Sequence, residues 1–594
     1  MYRQIVIIMN QNLKYFILFL FGICISFNAT AQRDTISTDK LIIIKQYSPT
    51  VNDAFKIKQK PSEKDTIKQT RKPVSYTFIN VPVASTFTPA KGTASGVRMS
   101  PPDKLYENYA RFGAGNFATI LADFYSNFDI NPDRNLNVEF SHLSSQGGID
   151  DVVLDDDFSN TSLGLNLNSK DRYFDWNTGI DFNHREVNYY GLAPMFSNLS
   201  EEQISAIDSK QTYTKFEAFG GIRFYDNVLK EAEIRVQNFS DDYSNSEQLL
   251  RIKPLVEIPL RTQKLSIQGD FSFLSGGFET TTIRPFENDY QQLQADVNPF
   301  VELSYDNVNV KLGAKAVFFN DSEESSSEVF FYPDVKAEFL LNQQTVEVSL
   351  GVSGGLQQNT YENFSSLNPF VSPFLTILPS DQQYNAFAGF SAKLLDNLSF
   401  STQANYSSTS NHAFFISNPS NEFLSRNLTR RNFDYQNSFN VIYSDIDIFS
   451  LSADLSYQID SDFTIGFNGK YSNFSTEEGQ EAWNLPEFEL KSYANYNFTK
   501  NWNFSASLFY IGERKDFVAD FTTFPSGALD INESSVNTVD GFIDLNASVE
   551  YKFNNRLSAF INANNLLNNS YNRWQNFEVQ GFQVLGGLIY QFDW

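Results

Sequence analysis

A chain of 594 residues with a net charge of −25 and one cysteine, Cys24, has no disulfide framework, thiolate metal site or cysteine nucleophile beyond that position. The acidic balance excludes nucleic acid as a partner of most of the chain, since its phosphates would be repelled. The 58 Phe and 29 Tyr, against four Met, point instead to a strand-rich protein.

The first element in chain order is an export signal. Lys14 supplies a positive start, "YFILFLFGICISF" (Tyr15 to Phe27) an apolar core, and Ala29-Thr30-Ala31 small residues ahead of Gln32. Residues 1–31 are therefore expected to be a cleaved signal peptide, the apolar run being short for a retained membrane span. Ile23, where a lipoprotein signal carries a small residue before its cysteine, argues against lipidation.

Residues 32–104 carry 13 Lys and Arg against six Asp and Glu, about +7, whereas residues 105–594 carry about −34. The stretch "KIKQKPSEKDTIKQTRKP" (Lys56 to Pro73) predicts an extended, basic, Lys/Pro-rich periplasmic tail. Its charge is opposite to that of the following region, so part of it is expected in or under that region's lumen. Ahead of the basic run, "TDKLIIIKQYSPT" places Leu41, Ile42, Ile43 and Ile44 between two lysines. Four consecutive β-formers with unpaired backbone predict a partner-docking strand that adds to the sheet edge of another protein or of the chain's own tail.

From about Tyr106 the hydrophobic period is two. In "FSLSADLSYQI", Phe449, Leu451, Ala453, Leu455, Tyr457 and Ile459 share one face and Ser450, Ser452, Asp454, Ser456 and Gln458 the other. "IDLNASVEYKF" from Ile543 and "TVEVSLGV" from Thr345 repeat the pattern. Such runs suit tilted strands crossing a bilayer, with apolar residues toward lipid and polar residues toward a wet lumen. Short turns are expected at Asn131, Tyr225, Tyr305, Leu395, Ile459, Phe498 and Lys552. Long connections are expected over 191–211, 359–381 and 512–539, and 437–459 reads as one long bent strand. The fold class predicted is all-β: a transmembrane antiparallel barrel of about 22 strands over 105–594, behind a short periplasmic tail. Soluble β-sandwiches also alternate, but the runs here are long, their rhythm is unbroken by a linker, and the second face is polar. "GGLIYQFDW" puts Leu588, Tyr590, Phe592 and Trp594 on one face, as expected of a strand that closes the barrel and is read by the outer-membrane assembly machinery.

Nothing in the sequence converges on catalysis, a cofactor or a metal. His142, His184 and His412 read as surface residues placed toward loops at strand ends. The aspartates of "GGIDDVVLDDDF" (Gly147 to Phe158) and the acids of "DSEESSSE" (Asp321 to Glu328) lack a calcium-loop pattern and read as solvated loops. Gly113–Gly115 lies in a strand, with no helical pattern following to make a phosphate cradle. Ser200 and Gln203 form a capping-box pattern with Glu201 and Glu202 in the first turn, predicting a short helix; a second is expected in "TYENFSSLNPF".

The stretch "RLSAFINANNLLNNSYNRWQNFEVQGFQVLGGLIYQF" (Arg556 to Phe592) closely resembles the C-terminal end of TonB-dependent receptors, in which an Asn-Leu-Leu/Phe-Asn element and a Tyr precede the last strand. The likeness is good over about the last 170 residues and vaguer upstream. It implies an outer-membrane barrel of Gram-negative bacteria that works in transport or uptake and is surrounded by lipid; that the chain is not an enzyme is expected from the lack of any convergent site. Those receptors carry a plug domain inside the barrel, and near the mature N-terminus a docking strand for TonB. The tail here is too short for a plug and lacks its Gly-rich pattern, which implies a plugless member of Bacteroidota type. "DTISTDKLIIIK" (Asp34 to Lys45) is loosely similar to the docking strand, making TonB one candidate partner. The alternative is a scaffold or accessory subunit of an outer-membrane complex that engages periplasmic partners through the tail.

Overall fold

The computed structural model describes residues 106–594 apart from 197, 262, 279–287, 324, 342–344, 419–431 and 519–535. The signal peptide, the basic tail and the docking residues Leu41, Ile42, Ile43 and Ile44 lie outside the described residues.

Twenty-two strands form one antiparallel meander that closes on itself. They run from 8 residues in Asn108–Gly115 to 20 in Leu398–Ser417 and Phe439–Gln458. Each pairs with its sequence neighbours, and the first strand pairs with the last, Gln583–Phe592, from Asn108↔Phe592 to Gly115↔Leu585. All seven expected short turns are present, such as the one between Asn131 and Arg134 and the one between Tyr305 and Val308. The strand expected over 437–459 is continuous from Phe439 to Gln458.

The apolar face of the alternation is the outer one. Phe112, Phe331, Leu451, Ile561 and Leu588 are exposed, as side chains facing hydrocarbon must be. At the short-turn end an aromatic girdle packs across strands: Phe174 and Trp502 lie tilted against Phe224 and Tyr551, and Phe128 stacks on Trp594. Trp594 also donates its indole N–H to Ser126 at 2.8 Å, so the expected terminal aromatic sits in this girdle. Aromatic rings prefer the boundary between hydrocarbon and water, which places the short turns at one membrane face and the long loops beyond the other.

Both expected loop helices form. Glu201–Ser205 carries the predicted capping box, with the Ser200 hydroxyl accepting from the Gln203 backbone and the Gln203 side chain accepting from the Ser200 backbone. The second helix is Tyr361–Leu367, capped by Thr360. The Asn-rich element that carries the family resemblance has a local task. Asn565 and Asn568 adopt positive φ, +47° and +48°, a conformation that asparagine tolerates better than most residues. The Asn565 side-chain amide spans to the Asn569 and Gln580 backbone carbonyls, and the Asn568 side-chain oxygen, Oδ1, takes the Phe582 N–H at 2.7 Å. The loop into the last strand is thus pinned at both ends.

Closure depends on close backbone approach at the seam. A Cβ on Gly587 would lie 2.1 Å from the Phe112 carbonyl oxygen, whereas one on Gly586 would meet nothing nearer than 3.7 Å. Gly587→Ala is therefore expected to abolish the compact, fast-migrating band of the folded barrel on unheated SDS gels, while Gly586→Ala keeps it. Equal behaviour of the two variants would show that the seam does not limit closure.

Candidate functional site

The lumen wall is polar and wet. Across neighbouring strands Arg235 pairs with Glu217, Arg251 with Asp270 (2.5 Å) and Lys311 with Asp334 (2.6 Å), and within single strands Arg235 pairs with Glu233 (2.9 Å) and Lys336 with Glu338 (2.6 Å). Most of these side chains keep contact with solvent, so each pair contributes at most about 1 kcal/mol. Their role is to line a water-filled interior rather than to hold the wall together. On another part of the wall, strands Leu398–Ser417 and Phe439–Gln458 present Gln403, Asn405, Ser450 and Ser452 instead. Near the seam the Arg111–Asp123 pair is buried and joined by a 2.7 Å hydrogen bond from Nε.

Toward the long-loop end the alternation changes. Tyr213, Phe239, Leu274, Phe278 and Tyr290 are apolar or aromatic on the lumen side and are buried. They pack against the connection 358–379, which folds inward and contributes Tyr361, Phe364, Phe370, Val371, Leu375 and Ile377 to one core. The loop 565–582 meets it there: Phe577 stacks on Phe370 with ring centroids 3.8 Å apart and contacts Tyr190 edge-on. Asn437 reaches the Tyr189 carbonyl (2.7 Å), and the Phe439 N–H bonds the Phe370 carbonyl (3.0 Å). Four long connections therefore converge in a dry layer inside the barrel mouth.

The helix Tyr361–Leu367 is clamped at both ends by charges from the wall. At its N-terminus the Glu247 carboxylate accepts the Tyr361 N–H (2.7 Å), the Glu362 N–H (3.2 Å) and the Tyr290 hydroxyl (2.7 Å). At its C-terminal side Arg185 donates to the Ser365 carbonyl (2.8 Å) and lies over the Tyr213 ring. An anion at the N-terminus and a cation at the C-terminus both complement the helix dipole. Asp241 accepts the Tyr361 hydroxyl (2.7 Å). Further along, wall side chains take the loop's carbonyls: Tyr213 that of Pro369, Tyr189 that of Val371, Asn245 that of Pro373, Tyr443 that of Thr376 and Gln292 that of Ile377, all within 3.1 Å. Irregular backbone inside a barrel is stable only when its polar groups are satisfied in this way.

A second tie joins three outer loops. Asp516, in the hairpin of Arg514–Phe517 with Val536–Val539, accepts from the Ser417 backbone and hydroxyl and from the Asn484 amide. Burial pushes its carboxyl from 3.8 up to about 6.

The sequence-based expectations fare unevenly here. His142 and His184 lie near the outer ends of strands on the lipid side, hydrogen-bonded to Thr161 (2.7 Å) and Thr214 (3.0 Å). His412 is not at a strand end but inside Leu398–Ser417, at a register shift, against Phe414. The acidic loop is only partly solvated: Asp156 accepts the Ile149 N–H (2.9 Å) and Asp157 accepts from Asn188 (3.0 Å), while Asp150, Asp151 and Asp155 are exposed. Asp321, read as a solvated loop residue, is buried and accepts from Gln292 (3.3 Å) and from the Glu323 N–H (3.0 Å). Gly113 and Gly115 lie in the first strand, as expected. No group of three or more His, Cys, Asp or Glu is placed to hold a metal among the described residues. Sequence reasoning missed Glu247, Arg185 and the tyrosines that receive the loop. The available signal was apolar residues on the polar face over the last turns of several strands, as at Leu274 and Phe278.

A closed 22-stranded antiparallel barrel with a lipid-facing apolar exterior is an outer-membrane barrel of a Gram-negative bacterium. Solved structures with this architecture include Fiu, the ferric-catecholate import receptor of Escherichia coli K12 (10% identity, 83% of this chain and 82% of that one, TM-score 0.59). They also include the FrpB iron transporter of Neisseria meningitidis (9%, 82% of each chain, 0.60) and the siderophore receptor PirA of Acinetobacter baumannii (13%, 82% and 80%, 0.60). At these identities the likeness is one of fold, and it is the receptor-like barrel that Arg556–Phe592 led us to expect. No family model and no curated protein matches the sequence.

Two outcomes follow from the clamps. Arg185→Ala combined with Glu247→Ala is expected to free the helix and raise single-channel conductance in planar bilayers several-fold, with the barrel still heat-modifiable on gels; unchanged conductance would mean that the clamps do not hold the seal. For Asp516, the docked state binds the proton more tightly than the undocked state. The stabilisation is complete below pH 3.8 and is lost as the pH rises through about 6. Hydrogen exchange of residues 514–517 is therefore expected to be slower at pH 5 than at pH 7.5 after correction for intrinsic rates, and Asp516→Asn should remove the difference.

Proposed function

We propose that the chain is a receptor-like transporter of the outer membrane, which admits a solute through a barrel sealed by its own extracellular loops. The observation that carries this reading is the pairing of a charged, water-lined lumen with a loop layer that is joined to the wall by non-covalent contacts alone, an aromatic core and the hydrogen bonds that position it. A barrel serving only as a membrane anchor has no need of either. The fold it shares with structures described as an import receptor, an iron transporter and a siderophore receptor supports the same reading.

The finer parts of the proposal rest on sequence. Residues 1–31 direct export, and 32–104 form the basic periplasmic tail without a full plug domain. Leu41, Ile42, Ile43 and Ile44 offer an edge to a periplasmic protein such as TonB. The last strand serves recognition by the outer-membrane assembly machinery. The second reading, a scaffold subunit, draws on the extent of the packed layer inside the barrel and on a tail suited to engaging a periplasmic partner.

Purification from native outer membranes in mild detergent separates the two. A barrel isolated alone, which conducts once residues 361–378 are replaced by a short Gly/Ser linker, supports transport. A barrel that brings a stoichiometric protein and stays closed after that replacement overturns it in favour of the scaffold. Photocrosslinking from Ile43 in whole cells is expected to trap a periplasmic protein; adducts formed only within the chain would remove the docking role.

A further inference from the structure

We propose that the extracellular mouth binds an anionic group, a carboxylate or a phosphate, at the arginine pair Arg514 and Arg573. Both belong to long loops at the outer end of the barrel: Arg514 opens the hairpin with Val536–Val539, and Arg573 lies in the hairpin of Asn572–Trp574 with Phe577–Glu578. Arg514 is 7% exposed, and its two terminal nitrogens are committed to consecutive backbone carbonyls, those of Arg573 (2.6 Å) and Asn572 (2.9 Å). Its Nε is buried and has no partner. The Arg573 side chain is reached by solvent, yet the surrounding protein desolvates it enough to lower its pKa, and the adjacent Arg514 cation is lowered to about 10 for the same reason.

Two neighbouring guanidiniums in a strongly acidic chain are expected to recruit carboxylates. Among the described residues none forms an ion pair with either, and three of the acids in these loops have other partners. Asp544 accepts the Tyr571 hydroxyl (3.0 Å), Glu578 accepts from Ser570 (2.6 Å), and Asp516 is held by Ser417 and Asn484. On the same hairpin the Trp574 indole N–H is a second buried donor without a partner. Tyr571, stacked on Phe542 at 3.9 Å, stiffens the segment from which Arg573 projects. A rigid, partly desolvated guanidinium with free forked donors suits bidentate recognition of a carboxylate or phosphate, for which a lysine is a poor substitute.

This assigns a charge to the solute, and rests on the transport reading only for the side from which the solute arrives. Binding itself can be measured without transport, on the full chain in detergent, by calorimetric titration with citrate and with inorganic phosphate. Saturable binding of at least one anion is expected. Arg573→Gln should weaken it about tenfold or more and Arg573→Lys by less, with the folded band on gels retained in both. Arg172→Gln, at an exposed turn of the opposite end, should leave it unchanged. The proposal is overturned if neither anion binds, if Arg573→Gln binds as the unaltered chain does, or if Arg172→Gln weakens binding equally. Which anion binds more tightly distinguishes a carboxylate from a phosphate ligand. A chain that binds citrate but fails to transport any solute would sink the transport reading and leave this one standing.

Discussion

Hydrocarbon offers no hydrogen-bond partner to a peptide group, and everything else in this molecule follows from that constraint. Each N–H and C=O at membrane depth must be paired within the sheet, so the sheet has to close. Here closure falls on an eight-residue strand paired with the last one. The seam is tight enough that Gly587 faces the Phe112 carbonyl across a gap with no room for a methyl group. The outer face then needs only to be apolar and the inner face only polar, which is why alternation so dominates the sequence.

The same constraint explains the inner layer. A loop drawn into a barrel brings unpaired carbonyls with it, and each one left unsatisfied costs about 1–3 kcal/mol. The wall answers with a tyrosine, asparagine, glutamine or arginine for one carbonyl after another between Ser365 and Ile377. The aromatic core supplies burial, while these polar contacts supply position. A helix of seven residues would not persist alone in water. It persists here because Glu247 and Arg185 stand at its two ends.

The strands, the turns and the capping box at Ser200 were legible in the sequence because each depends on residues that are close together. "YDNVN" gives a turn wherever it occurs between alternating runs, and Ser200 needs only Gln203. The inner layer was not legible, because its contacts join residues far apart. Arg185 meets Ser365, Asn437 meets Tyr189, and Tyr190 meets Glu578, and no local pattern encodes those meetings. Asp321 shows the limit from the other side. In sequence it belongs to a run of acids and serines, and only the fold reveals that Gln292 awaits it. His412 was misplaced because a register shift inside a long strand resembles a strand end when only the period is read.

The distances along the chain have a temporal consequence. The groups that grip residues 358–379 come from strands placed before and after it, as early as Arg185 and as late as Tyr443, so the loop has nothing to hold until those strands stand in their final register. Docking of this loop is thus a late event in folding, and a report on all that preceded it. A one-residue slip in any of the gripping strands would turn its donor from the interior toward lipid and leave the loop without that hold. The docked inner layer is accordingly a test of correct assembly, applied by the structure to itself at the last step.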